Sequence, residues 1–192
     1  VHHSIFRSFV DSLLHEIKQL KFGEPSVMAD YSNIVYDHVF ETVSDFYDQN
    51  KSYCIHKGII STEDRRIDPM IFCFDRIKDM PYIKEFFAPI FVVTKYENDR
   101  ECNTWLMEES QLDRSMGISI FGDFNADSKL KEHYIMAFNQ GFMDLEDGNL
   151  PFGGFGKKSS AIRFKGQIYS HPVLISREVS SFLKDGYHEE IF

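Results

Sequence analysis

Three cysteines, Cys54, Cys73 and Cys102, are the side chains of this 192-residue chain best suited to nucleophilic chemistry. A nucleophilic thiol must be held as a thiolate by its surroundings and needs oxyanion-stabilising donors beside it. Cys54 stands in the strand-like stretch Tyr-Cys-Ile-His, Cys73 in an apolar strand and Cys102 at a polar helix start. Because buried cysteines are more often structural than reactive, the sequence predicts that none of the three is a catalytic nucleophile.

The same cysteines indicate the cellular compartment. Their number is odd and no two share a Cys-x-x-Cys spacing, which fits free thiols in a reducing environment. The chain has no apolar stretch near the ~18 residues of a membrane span, and it opens without a secretory leader pattern. We therefore expect an intracellular protein, most simply a cytoplasmic one.

A second candidate site is the glycine-dense stretch Asn149–Gly166. Gly153, Gly154 and Gly156 follow one another closely there, and two lysines come next. Such density indicates that the backbone passes close to another chain segment or to a ligand. The segment Pro151–Gly156 could therefore shape a substrate tunnel, or it could be a structural turn that lets two segments approach closely.

Charge and histidine spacing argue against several classes of ligand. The net charge of −9 disfavours a general affinity for nucleic acid or for an anionic membrane. The eight histidines show no metal-binding spacing, so no metal site is predicted. A phosphate or an acidic partner could bind the one local basic cluster, but such charges more often form a solvated face. That cluster consists of Lys157, Lys158, Arg163 and Lys165.

Apolar patterns predict the order of helices and strands. Helical spacing of apolar residues predicts helices over 5–20 and 34–49, the second with Val35, Val39, Val43 and Phe46 on one face. Shorter helices are expected over 101–107 and 127–138. Apolar runs predict strands at 53–60, 70–74, 90–94, 116–121 and 173–176.

Alternating strands and helices indicate an α/β protein. We expect three layers, with helices on both faces of a mainly parallel sheet. The length fits one domain, which we assign to residues 1–182, followed by a C-terminal tail over 183–192.

Four short motifs in this order resemble the aldehyde dehydrogenase superfamily, over nearly the whole chain. Val1–Pro25 is similar to the family segment V-H-x-S-x-x-x-x-F-x-x-x-L with its K-x-G-x-P ending, and Asp68–Ile71 to a proline-initiated strand. Glu85–Pro89, which reads E-F-F-A-P, is similar to the E-I-F-G-P signature, and Leu150–Gly154 matches the L-P-F-G-G loop. The resemblance implies the fold of the second half of the catalytic domain.

The resemblance also implies roles for particular residues. In the family, the signature glutamate holds the nicotinamide ribose and its aromatic packs near the nicotinamide, which implies cofactor contacts for Glu85 and Phe87. The alternative for Glu85 is a surface carboxylate beside Lys84. The L-P-F-G-G loop closes over the active-site region, which implies a substrate-entrance loop here. Its residues are Pro151, Phe152, Gly153 and Gly154.

The motifs depart from the family pattern in loops where chemistry would take place. Ala88 replaces the signature glycine, N-x-x-x-Y-G-L is lost in Gln111–Met116, and Ser159–Ile162 replaces S-G-x-G. The family's nucleophilic cysteine and its dinucleotide-binding domain precede the V-H-x-S segment, so the resemblance implies that they would lie before Val1. These departures predict a retained scaffold with relaxed catalytic demands.

Two functions follow as hypotheses. We favour an inactive aldehyde-dehydrogenase-like domain that serves as a structural or protein-binding subunit, without cofactor or metal, and that packs aromatic surface on a partner protein or a second copy. The alternative is a C-terminal fragment of an active NAD- or NADP-dependent aldehyde dehydrogenase, which oxidises aldehydes to carboxylic acids with a catalytic cysteine upstream of residue 1. Neither hypothesis involves a nucleic acid or a membrane.

Overall fold

The structure is a computed structural model that describes residues 1–24, 28–113, 115–145, 154–155, 161–165 and 167–170. The chain divides into two compact units, Val1–Asn98 and Asp99–Phe192. Among the described residues, no helix combines the length and the apolar character that crossing a membrane requires.

The first unit carries two helices and five short strands in its described part. The helices are α1 (Phe6–Ile17) and α2 (His38–Asn50). The strands are β1 (Cys54–His56), β2 (Ile60–Ser61), β3 (Arg66–Ile67), β4 (Met70–Phe74) and β5 (Ile90–Thr94).

Strand β4 is the centre of a three-stranded sheet in the first unit. It pairs in parallel with β5 and antiparallel with β1. Because side chains alternate along a strand, Phe72 and Phe74 pack with α2 on one face, while Ile71 packs with α1 on the other. Helices therefore cover both faces of β4, and this burial explains its continuous apolar run, as predicted.

The second unit is built around another parallel strand pair. Its helices are α3 (Asp99–Leu106) and α4 (Glu109–Leu112). Its described strands are β6 (Gly117–Ile120), β7 (Ile135–Phe138), β8 (Ala161–Phe164) and β9 (Gln167–Ser170). Strands β6 and β7 are parallel, and β8 and β9 form an antiparallel pair.

Two predicted helices differ in the structure. The helix expected over 127–138 was wrong: a 3₁₀ turn spans Ser128–Glu132, and β7 follows it. Pairing with β6 and burial of alternate side chains override the local helical pattern there. The helix expected over 34–49 begins only at His38, so Val35 lies outside it and is exposed rather than packed with Val39.

The predicted mixed α/β class is confirmed, and the described residues of each unit include a parallel strand pair. The three-layer arrangement, with helices on both faces of a mainly parallel sheet, stays a prediction. The division into a domain over 1–182 and a tail over 183–192 also stays a prediction, because residues 171–192 lie outside the described residues. The strand expected over 173–176 lies in the same stretch.

Candidate functional site

The segment Glu85–Pro89 leads directly into β5. Phe86 is buried, and its ring lies 4.8 Å from that of Phe46 on α2. Its neighbours Glu85 and Phe87 are both exposed. Backbone bonds fix the end of the segment: the Met70 amide donates to the Pro89 carbonyl at 3.1 Å. Glu85 and Phe87, for which the resemblance implies cofactor contacts, therefore flank the buried Phe86 and have their own side chains in solvent.

Phe87 adopts a backbone conformation that is rare for a bulky residue. Its φ is +50°, in the left-handed region, which costs a non-glycine residue about 1–2 kcal/mol. Its ring meets that of Tyr36 edge-on at 5.9 Å, and Tyr36 stacks with His38 at 5.7 Å. The exposed fractions are 76% for Val35, 53% for Tyr36 and 59% for Phe87. We call these three residues the aromatic patch.

Arg65 holds the loop that carries Val35 and Tyr36, two of the three residues of this patch. Its Nε donates to the Ile34 carbonyl at 2.8 Å and its Nη2 to the Val35 carbonyl at 2.6 Å. Its Nη1 lies 2.7 Å from Oδ1 of Asp37, and the Ile34 amide donates back to the Arg65 carbonyl. Because one guanidinium bonds to three residues of the loop, Tyr36 is presented from a fixed backbone.

Exposed carboxylates follow the patch along helix α2. Glu41, Asp45 and Asp48 are all exposed. Residues four and three positions apart lie on one side of a helix, so these three carboxylates form a single line. We call them the acidic stripe. The stripe continues from Asp37, which directly follows Tyr36 of the aromatic patch.

The glycine loop makes a close backbone approach at Gly154. This residue is buried with φ +79°, and a Cβ there would lie 2.4 Å from the carbonyl oxygen of Met116, just before β6. The Phe155 amide donates to the His133 carbonyl at 3.2 Å. The loop therefore needs glycine at 154 to pass another chain segment, as the structural alternative expected. Its role as a substrate entrance stays a prediction, since Pro151, Phe152 and Gly153 lie outside the described residues.

Burial raises the pKa of all three cysteine thiols. The pKa of Cys73 rises to about 11 through burial and then through Asp75 and Cys54 nearby. The pKa of Cys102 likewise rises to about 11, first through burial. Burial also raises the pKa of Cys54, whose Sγ–H donates to the His56 carbonyl at 3.3 Å. Burial therefore favours the protonated thiol at all three positions, whereas a nucleophile needs the thiolate.

An open cleft of about 720 Å³ in the second unit was missed by the sequence analysis. Helix α3 and the loop 125–129 line it. The Asn103 side chain bridges its walls, since Nδ2 donates to the Asn125 carbonyl at 2.9 Å and Oδ1 accepts from the Asp127 amide at 3.0 Å. These polar groups are therefore engaged in holding the loop rather than facing a ligand.

The aromatic patch was also missed, although one signal could have found part of it. Asp37 is a residue that favours a helix N-terminus, and reading it as the start would have left Val35 and Tyr36 outside the helix. The contact of Tyr36 with Phe87 joins distant parts of the sequence, so no local pattern predicts it.

Comparison with solved structures identifies the fold. Aldehyde dehydrogenase from Mycobacterium tuberculosis, solved in complex with NAD+, superposes with a TM-score of 0.66 at 14% identity, over 90% of this chain and 38% of that one. The chain has an aldehyde dehydrogenase fold. Brucella melitensis aldehyde dehydrogenase gives a TM-score of 0.61 at 18% identity, over 83% of this chain and 33% of that one. Staphylococcus aureus betaine aldehyde dehydrogenase, also in complex with NAD+, gives 0.62 at 12% identity, over 84% and 34%.

The chain spans about a third of the length of these aldehyde dehydrogenases. No protein-family model matches the chain, and no curated protein matches its sequence. The predicted resemblance is thus confirmed at the level of the fold. The cofactor contacts of Glu85 and Phe87 stay predictions, since fold likeness at this identity does not carry function.

Proposed function

We propose that this chain is a module with an aldehyde dehydrogenase fold that does not catalyse a reaction itself and that acts by binding another protein. The aromatic patch carries the proposal. Its three apolar side chains are largely in solvent, and two of them are of the aromatic types enriched at protein interfaces. Burying a side chain of this size contributes about 1.5–3 kcal/mol, so the patch gains from a partner that covers it.

The backbone around the patch supports a binding role. Val35 and Tyr36 sit on a loop that Arg65 fixes by three bonds, and Phe87 follows the buried anchor Phe86. A preformed surface loses little conformational entropy when a partner docks, which favours binding. Strain at Phe87 of the kind described above persists only where the surrounding structure enforces it, and such strain concentrates at functional sites.

The thiol environments support the absence of catalysis by the described residues. Burial keeps the pKa of Cys54 above its ordinary value, and it brings those of Cys73 and Cys102 to about 11. A catalytic thiol has its pKa lowered by positive charge or by a helix N-terminus. The substitution of the signature glycine by Ala88 agrees with a site that no longer serves chemistry.

A second candidate function, part of an active aldehyde dehydrogenase, is favoured by one observation. Glu85 and Phe87 are exposed on the same short segment, so a ribose hydroxyl could donate to the Glu85 carboxylate while a nicotinamide packs on the Phe87 ring. In that case NAD or NADP would supply the hydride acceptor, and the catalytic cysteine would come from outside these residues.

The proposed function predicts a complex in cells. A tagged chain, expressed in the cells from which the sequence comes, should sediment with a native mass well above its own denatured mass. Phe87→Ala should shift much of it toward the mass of the single chain, because the patch loses its most exposed aromatic ring. Sedimentation velocity of the lysate with detection of the tag measures both.

Phe121→Ala is the matched control, since Phe121 is an exposed aromatic in the second unit, at 69% against 59% for Phe87. It should leave the native mass unchanged. A wild-type chain that sediments at its own denatured mass would contradict the proposed function, and so would an equal shift for both variants.

A further inference from the structure

We infer that the aromatic patch and the acidic stripe bind a basic segment of the partner, rich in arginine or lysine. This inference rests on the proposed function and names the chemistry of the partner. It depends on charge complementarity, because three exposed carboxylates follow the patch along α2.

The acidic stripe gives the segment a line of countercharges. Glu41, Asp45 and Asp48 lie on one side of α2 and span about 10 Å along its axis at about 1.5 Å per residue. Positive side chains on an extended peptide can contact such a line at alternate positions. Glu85, next to the patch on the other segment, adds one more exposed carboxylate beside Lys84.

The aromatic patch gives the basic segment a second kind of contact. Guanidinium and ammonium groups bind the faces of tyrosine and phenylalanine rings within about 6 Å of the ring centre. The first unit uses this contact internally, with Arg66 at 4.6 Å over Phe22 and Lys57 at 4.4 Å over Tyr47. His38 already stacks on Tyr36 at 5.7 Å, so the exposed ring of Phe87 offers this contact from outside.

The Arg65 guanidinium is not available to neutralise this surface. Arg65 is turned to backbone carbonyls and to Asp37 at 2.7 Å. The chain as a whole carries a charge of −9, which steers a basic segment toward it and speeds its association.

Three labelled peptides of equal length test the inference. They share one glycine–serine frame and carry arginine, serine or glutamate at alternate positions. Fluorescence anisotropy with the purified chain at physiological salt measures their affinities.

The stripe variant neutralises three carboxylates, and its control removes the same number of charges from the second unit. The stripe variant is Glu41→Gln, Asp45→Asn and Asp48→Asn, and the control is Glu109→Gln, Asp123→Asn and Glu132→Gln.

The arginine peptide should bind the wild-type chain, and the other two peptides should bind at least about tenfold more weakly, which corresponds to about 1.4 kcal/mol. The stripe variant and Phe87→Ala should each weaken binding by about tenfold. The charge control and Phe121→Ala should stay within about threefold of wild type. Each variant is first shown to melt as the wild type does.

Three results would overturn the inference. Equal losses in the stripe variant and its charge control would mean that binding follows net charge alone. Serine-peptide binding as tight as that of the arginine peptide, lost in Phe87→Ala, would mean that the patch binds a partner that is not basic, and the proposed function would stand. Absence of binding to the arginine peptide would exclude a basic segment. The proposed function is tested separately, and it fails if the native mass of the protein in cells equals that of the single chain.

Discussion

Gly154→Ala is expected to lower the free energy of unfolding by about 3 kcal/mol. The left-handed φ of +79° costs an alanine about 1–2 kcal/mol, and the new Cβ would lie 2.4 Å from the Met116 carbonyl oxygen. That carbonyl cannot move freely, because it accepts the Ile135 amide at 3.0 Å where β6 and β7 begin. Urea denaturation followed by circular dichroism measures the change.

Gly122→Ala is the matched control. Gly122 has a similar φ of +85°, but a Cβ there would meet nothing within 4 Å. Its free energy of unfolding should fall only by the conformational cost of about 1–2 kcal/mol. Equal losses for the two variants would show that the approach to Met116 does not decide the need for glycine at 154.

Asp68→Ala is expected to lower the free energy of unfolding by about 2 kcal/mol. The Asp68 side chain is only 15% exposed, and it accepts two bonds from Arg66, at 2.5 and 3.0 Å, and one from Tyr31 at 2.8 Å. Asp68, which lies between β3 and β4, therefore ties β3 to the loop before α2. Alanine would leave the Arg66 guanidinium and the Tyr31 hydroxyl without this acceptor.

The effect of Asp68→Ala should depend on pH in a defined direction. Burial alone would raise the pKa of Asp68, but the hydrogen bonds from Arg66 and Tyr31 outweigh it and lower the pKa. The stabilisation is therefore complete above the unfolded pKa of about 3.9, and it is lost as the pH falls through the lower folded value. The difference between wild type and variant should shrink in that range.

Asp79→Ala is the control for this prediction. Asp79 accepts a similar two-bond fork from Arg76, at 2.6 and 2.9 Å, but the Arg76 side chain is 59% exposed. Surface pairs contribute little, so this variant should lose much less stability. A loss as large as that of Asp68→Ala, or a pH-independent loss at Asp68, would contradict the assigned role of the partly buried fork between Arg66 and Asp68.

The parts of the fold that follow from local patterns could be predicted from the sequence. The apolar run of β4 is long enough to indicate burial on both faces, and both of its faces are covered. The Ile135–Phe138 stretch was misjudged because its strand state depends on pairing with β6, which lies outside any local window.

The candidate site likewise has features that local sequence patterns predict and features that depend on distant contacts. Glycine density predicted the close approach at Gly154, because only a few backbone situations require such a residue. The segment carrying Glu85 and Phe87 was singled out from its motif. The contact between Phe87 and Tyr36 could not be predicted, since it depends on how Arg65 positions a loop that is distant from Phe87 in the sequence.

The most direct test of the central claim is aldehyde-dependent NADH formation by the protein purified from its natural source. The protein is incubated with NAD+ or NADP+ and a panel of aliphatic and aromatic aldehydes, and the absorbance of the reduced nicotinamide is followed. A non-catalytic binding module predicts no rate above that of the mixture without protein. A rate proportional to protein concentration and abolished by thiol alkylation would contradict this account and would identify the chain as part of an active aldehyde dehydrogenase.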